Sequence, residues 1–133
     1  NGKPKSNGKA IPRRILIVDD NQDSAHSLRR LLERRGHQVL VVHDGLAALD
    51  SAQKFTPDTF LLDLGLPGID GYQLAGRLQN AGFAACLFVA ISGYAQPQDF
   101  ENTRRAGFKH HLAKPIDIEQ VVDVLTADEA VMA

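Results

Sequence analysis

From Arg14 onward, short apolar runs alternate with longer stretches in which apolar side chains recur every three or four positions. That alternation predicts βα units built on a parallel sheet. Strands are expected at Ile15 to Val18, Val39 to Val42, Thr59 to Leu62 and Leu87 to Ile91, with a short fifth at His111 to Ala113. Because their apolar character is continuous rather than alternating, these strands should be covered on both faces.

The intervening stretches carry helical stripes. Ala25, Leu28, Leu31 and Leu32 share one face of a first helix, which Gly36 is placed to end. Leu46, Leu49 and Ala52 make a second stripe, and Leu74, Ala75 and Leu78 a third that Asp70 is placed to cap. Pro97 suits the first turn of a fourth helix stopping near Gly107. Ile118, Val121, Val122 and Leu125 form the fifth, with Asp117 and Gln120 spaced as a capping box.

Length changes the picture only by limiting it: 133 residues, 44% of them hydrophobic, suit one domain with one core. No run nears the roughly 18 apolar residues of a membrane helix, and the first residues lack the apolar centre of a secretory signal. A soluble, cytoplasmic chain is expected. The single cysteine, Cys86, cannot pair internally and is expected as a small buried residue.

The formal charge of -1 hides an asymmetry, since Lys3, Lys5, Lys9, Arg13 and Arg14 place five cations and no acid in the first fourteen residues. Gly2, Pro4, Ser6, Gly8 and Pro12 interrupt that segment, so residues 1–13 are read as a flexible basic linker or tail rather than a nucleic-acid arm. The domain is expected to span 14–126, with 127–133 as a C-terminal tail. Asn1 in place of a methionine suggests a piece of something longer.

The candidate chemistry lies where the strands stop. The first apolar run ends in Asp19 and Asp20, the third in Asp63, the fourth in Ser92 and Gly93, and the fifth in Lys114 and Pro115. Taken singly these are ordinary caps and turns. In an open parallel sheet, however, all carboxyl ends share one edge, where such folds bind ligands. Two carboxylates about 4 Å apart repel by roughly 4 kcal/mol at an effective dielectric of about 20, so three ionised ones need a partner. Lys114 offsets one charge. A hard divalent ion with open positions for water and phosphate suits the remainder, favouring Mg²⁺ over a Ca²⁺ cage. A carboxylate is also a competent nucleophile in aspartyl-phosphate chemistry.

At these residues the sequence resembles response-regulator receiver domains, from about Arg14 to Leu125. The matching motifs are Ile15 to Asp20 with Asn21, Leu61 to Leu64, Pro67 to Gly71, Ile91 to Gly93, and Lys114-Pro115. The resemblance implies a doubly wound, flavodoxin-like (βα)5 α/β sandwich with a five-stranded parallel sheet in order 2-1-3-4-5. It implies Asp63 as phosphoacceptor, Asp20 as a direct Mg²⁺ ligand, Asp19 acting mainly through water, and the backbone carbonyl of Gly65 as a further ligand, with Mn²⁺ as an alternative ion. Ser92 would hold the phosphoryl group and Lys114 would pair with it, usually through a cis Lys-Pro bond.

Two positions depart from common versions of the pattern. Receivers often place an aromatic rotamer switch three residues before the lysine, where this chain has His111. A buried imidazole needs a hydrogen-bond partner that a phenyl ring does not, so a muted switch is expected. Gly65 stands where many receivers carry a side chain that tunes acyl-phosphate hydrolysis. The five histidines lack metal-ligand spacing, and adjacent His110 and His111 on a strand must face opposite ways.

The resemblance further implies a histidine kinase or histidine phosphotransfer domain as partner, docking over the first helix beside Arg29, Arg30 and Arg34. No nucleic-acid site and no membrane segment are expected within this chain. The linker-like start, and Gly107 to Pro115, look like the C-terminal receiver of a hybrid sensor histidine kinase, with no output domain after the last helix. The domain itself would be a phosphoacceptor with at most autodephosphorylation, the kinase residing in the parent protein. A free-standing receiver is the alternative. A Mg²⁺-dependent phosphohydrolase of the haloacid-dehalogenase type would need a second aspartate at the position of Gly65, and a degenerate scaffold would not need the full acidic site.

Overall fold

The computed structural model describes residues 11–93 and 96–132. Five strands alternate with five helices: β1 (Arg14–Val18), α1 (Gln22–Arg34), β2 (Gln38–Val42), α2 (Gly45–Phe55), β3 (Thr59–Asp63), α3 (Gly71–Leu78), β4 (Leu87–Ser92), α4 (Pro97–Arg105), β5 (His110–Ala113) and α5 (Ile118–Met132). All strand pairings are parallel and the sheet order is β2-β1-β3-β4-β5, the doubly wound order expected. The order reverses between β1 and β3, which opens a crevice at their carboxyl ends.

Strand alternation sorts the core onto two faces. Ile15 and Ile17 of β1, Leu61 of β3, and Val89 and Ile91 of β4 pack with Ala25, Leu28 and Leu32 of α1 and Val121 and Leu125 of α5. Leu16, Val18, Phe60, Leu62, Phe88 and Ala90 point the other way, onto Ala48 and Ala52 of α2 and Leu74, Ala75 and Leu78 of α3. β1, β3 and β4 are buried almost throughout, as their apolar runs require. β2 and β5 are only half-covered because they form the two edges of the sheet.

Local signals set the helix ends. The Asn21 carboxamide accepts the Ser24 amide, Asp44 accepts that of Ala47, and Asp70 and Gln73 form a reciprocal capping box. Asp117 and Gln120 interact as their spacing suggests, the Asp117 amide donating to the Gln120 side chain at 3.0 Å. After α3 the chain runs through a widened turn, Gln79–Phe83, before β4. Within the described residues no helix is long and apolar enough to cross a membrane.

Several expectations need correction. Leu46 is 65% exposed. The sheet-facing stripe of α2 is Ala48 and Ala52, and a residue two positions before Ala48 lies about 200° around the helix from it. Leu31 is also exposed, and Cys86 is half-buried, with its thiol 3.4 Å from the Pro57 carbonyl. Burial raises the Cys86 pKa, so the thiol is a poor nucleophile.

The chain ends differ too. Residues 127–132, expected as a tail, continue α5, and Asp128 is buried. Arg13, assigned to the linker, is 6% exposed. Its guanidinium binds Asp128 Oδ2 at 2.8 Å and the Thr59 hydroxyl at 3.1 Å, while Ile11 N donates to Glu129 at 3.1 Å. A charged pair removed from water holds only when satisfied, and this one fastens the approach to β1 onto the last turns of α5. Residues 1–10 of the expected linker lie outside the described residues.

Candidate functional site

The carboxyl edge of the sheet gathers the residues that the strand ends foretold. Asp19 and Asp20 follow β1, Asp63 closes β3, Ser92 closes β4 and Lys114 follows β5. Backbone hydrogen bonds carry the pairing past each strand end: Asp19 N donates to Val42 O, Leu64 N to Ile91 O, and Lys114 N to Ser92 O at 2.7 Å. The side chains therefore start from a rigid frame.

Each of Asp19, Asp20 and Asp63 offers a carboxylate oxygen, and these oxygens lie within 4.8 Å of one another. Asp19 and Asp63 are buried, while Asp20 is exposed at the mouth. Lys114 Nζ lies 3.1 Å from Asp63 Oδ2 and 3.3 Å from Asp19 Oδ2. The Lys114–Pro115 peptide bond is cis. Burial alone would depress the Lys114 pKa, but the hydrogen bond to Asp63 and the charges of Asp19 and Asp63 outweigh it and leave the ammonium above its ordinary value. Burial pushes the Asp19 carboxyl up, with the Asn21 amide and Lys114 pulling down and Asp63 adding to the rise.

Three carboxylates against one ammonium leave a formal local charge of -2 (three negative, one positive). A hard divalent cation fits this all-oxygen donor set, and the residues present suit Mg²⁺. The Asp63 carboxylate is further fixed by the Gly65 amide, which donates to Oδ1 at 2.9 Å. A Cβ at position 65 would sit 3.6 Å from that oxygen, an ordinary contact, so the backbone there has room for a side chain beside Asp63. Gly71 is needed for a different reason. A Cβ there would meet the Asp63 carbonyl and Leu64 Cα at 2.7 Å, closer than real side chains approach, and α3 could not start against β3.

On the other side of Asp63 a cavity of about 320 Å³ is lined by Gly65, Tyr72, Ser92, Asp99 and His111. Ser92 Oγ lies 2.7 Å from His111 Nε2, and His111 Nδ1 lies 3.3 Å from the buried Thr103 hydroxyl. The imidazole thus has the polar partners its burial demands, and it packs on the Phe100 ring at 4.6 Å between centroids. Burial lowers its pKa, which keeps it neutral. His110 shares the opposite side of β5, so the adjacent histidines do not converge.

The sequence pointed to every residue of the acidic cluster but not to Thr103 or His43. His43 Nδ1 donates to the Asp19 carbonyl at 3.0 Å, and His26 stands edge-on to it at 5.7 Å. Neither position carried a local signal, because both reach the site across the fold. Beside the acidic cluster a second opening, about 560 Å³, runs between α1 and the segment after β5, lined by Asp19, Leu28, Leu31, Lys114 and Ile116. Arg30 and Arg34 are exposed on α1, and Arg29 is partly so.

Known proteins place this arrangement. The family model "Response regulator receiver domain" matches residues 15–126. Protein PilH of Pseudomonas aeruginosa is 33% identical over 115 residues, covering 86% of this chain and 95% of PilH. Sensory/regulatory protein RpfC of Xanthomonas campestris pv. campestris is 33% identical over 121 residues, covering 89% of this chain but 16% of RpfC. A crystal structure of a two-component response regulator from Clostridium difficile superposes with a TM-score of 0.83 at 24% identity, covering 90% of this chain and 97% of that one, which supports the fold. With its parallel sheet in the doubly wound order and its matched span, the chain belongs to the response regulator receiver domains of two-component signal transduction.

Proposed function

We propose that Asp63 accepts a phosphoryl group from a phosphohistidine on a histidine kinase or a histidine phosphotransfer domain, in a Mg²⁺-dependent reaction. The observation that carries this reading is the Lys114 ammonium shared between Asp63 and Asp19 at 3.1 and 3.3 Å, beside three converging carboxylates. An oxygen of Asp63 forms a bond to phosphorus as the phosphorus–nitrogen bond breaks, its electron pair returning to the donor imidazole. Asp19, Asp20, Asp63 and the Gly65 carbonyl would hold the ion, which when bound neutralises charge on the phosphoryl oxygens. Lys114 is already within reach to exchange one carboxylate for a phosphoryl oxygen, and Ser92 lines the cavity that the new group would enter.

The donor is expected over α1, where the opening beside Leu28 and Leu31 adjoins Asp19 and the arginines supply charge. The setting we favour is the C-terminal receiver of a hybrid histidine kinase in the cytoplasm. A match confined to 16% of a long sensory/regulatory protein supports it. The second reading, a free-standing receiver, is supported by the match over 95% of PilH. Incubation with acetyl phosphate and Mg²⁺ tests the chemistry by intact mass. One phosphoryl group on the wild type, lost in EDTA and in Asp63→Asn, is expected, and undiminished labelling of Asp63→Asn would overturn the assignment.

A further inference from the structure

A chain of hydrogen bonds leads from the cavity beside Asp63 into α4. It runs from Ser92 Oγ to His111 Nε2 (2.7 Å), from His111 Nδ1 to Thr103 Oγ1 (3.3 Å), and from Thr103 Oγ1 to the Phe100 carbonyl (3.0 Å). Its last member fixes its direction. A carbonyl only accepts, so the single Thr103 hydroxyl proton is committed to Phe100. Thr103 Oγ1 must then accept from His111 Nδ1–H, and a neutral imidazole has no second proton. Nε2 is consequently bare and accepts from Ser92. The Ser92 proton points at His111 and away from Asp63.

The rest follows only if Asp63 is the phosphoacceptor. A phosphoryl group there puts anionic oxygens into the cavity that Ser92 and His111 both line, and those oxygens demand donors. Were Ser92 simply to turn away, Nε2 would lose the donor it has among the described residues.

We propose that His111 is a positioning residue for Ser92 and that loading of Asp63 reverses the chain by exchanging the imidazole tautomer. In the loaded state Nε2–H donates to Ser92 Oγ, Ser92 donates to a phosphoryl oxygen, and Thr103 donates to the now bare Nδ1. One proton leaves Nδ1 to water and one reaches Nε2 from water, so charge and proton count are unchanged. The ring keeps its place on Phe100. What changes is at the far end, where the Thr103 hydroxyl releases the Phe100 carbonyl beneath the exposed Phe100 ring. The device transmits loading to α4 without a rotamer change at position 111.

Imidazole ¹⁵N spectra of the full chain, with and without saturating Mg²⁺ and beryllofluoride, test this, with the Gly65 amide shift as an independent report of loading. The free protein is expected to show His111 protonated on Nδ1, and the loaded one on Nε2. A shifted Gly65 amide with His111 still protonated on Nδ1 would overturn the inference while leaving the phosphoacceptor reading intact. An unmoved Gly65 amide would overturn both. Thr103→Val supplies the second arm, because it removes the acceptor that holds the free tautomer. It should convert unloaded His111 to the Nε2–H form and tighten beryllofluoride binding about fivefold, the equivalent of one net hydrogen bond of about 1 kcal/mol. An unchanged tautomer and affinity in that variant would show that Thr103 serves only packing.

Discussion

Lys114 and Asp63 are 51 positions apart in the chain, yet their charged groups meet at 3.1 Å. Asp63 closes β3, and Lys114, the first residue after β5, is held by its backbone N–H to the last residue of the β4 strand between them. Rigid strand ends of this kind hold charged groups closer than mobile segments would, and the site's behaviour should follow from that crowding.

Removing the exposed carboxylate separates metal binding from folding. Asp20→Ala is expected to abolish Mg²⁺-dependent phosphorylation by acetyl phosphate while changing stability by no more than about 0.5 kcal/mol, as is usual for exposed positions. Phosphate labelling and a urea melt check the two halves. Labelling at the wild-type level would remove Asp20 from the ligand set.

Asp19 should behave oppositely towards stability. Burial raises its carboxyl pKa, so the folded protein holds that proton more tightly than the unfolded chain does. Ionised Asp19 is therefore a cost above its folded pKa, and the cost vanishes below the unfolded value of about 3.9, where both states are protonated. Asp19→Asn is expected to raise the Tm of the metal-free protein at pH 7 by about 2–5 °C. The gain should shrink as the pH falls towards about 4. Thermal melts in EDTA across this range decide the matter, and a gain independent of pH would rule out desolvation of the carboxylate as its cause.

The ion pair between Arg13 and Asp128 predicts the consequence of trimming the chain. Ending it after Thr126, or replacing Asp128 by Ala, leaves the buried Arg13 guanidinium without this carboxylate and should cost about 3 kcal/mol. Urea denaturation of both variants is the measurement. A loss below about 1 kcal/mol would show that the last turns of α5 merely cap the helix.

Reversing the charge of Arg29 and Arg30 should slow phosphoryl transfer from a phosphohistidine donor by about tenfold through lost electrostatic steering. Labelling by acetyl phosphate, which needs no docking surface, should be unaffected. Equal slowing with both donors would place the damage at the acidic site.

The frame and the acidic cluster were legible because a parallel sheet converts a one-dimensional pattern into a spatial one: whatever follows each apolar run must share an edge with whatever follows the others. Asp19, Asp63, Ser92 and Lys114 met for that reason. Thr103 and His43 were not legible, since their roles depend on which way a helix face or a loop side chain turns across the fold. Leu46 misled for a related reason. Hydrophobicity marked it for the core, while the facing direction of α2 was set by the small residues Ala48 and Ala52, whose close approach to the sheet a larger stripe would prevent. The extension of α5 escaped because its last turns are held by Arg13 from the opposite end of the chain, a partner that local periodicity does not reveal.

That fastening of Arg13 to Asp128 also sets how the module can be tethered. β1 begins and α5 ends at the amino edge of the sheet, whereas Asp63 sits at the carboxyl edge, the length of a five-residue strand away, about 17 Å. The described chain thus begins on the underside of the sheet, where Ile11 and Arg13 are bound to the last turns of α5, and the acidic crown faces the other way. A pull applied at residue 11 would load the bonds of Ile11 to Glu129 and of Arg13 to Asp128 before it loaded β1 itself.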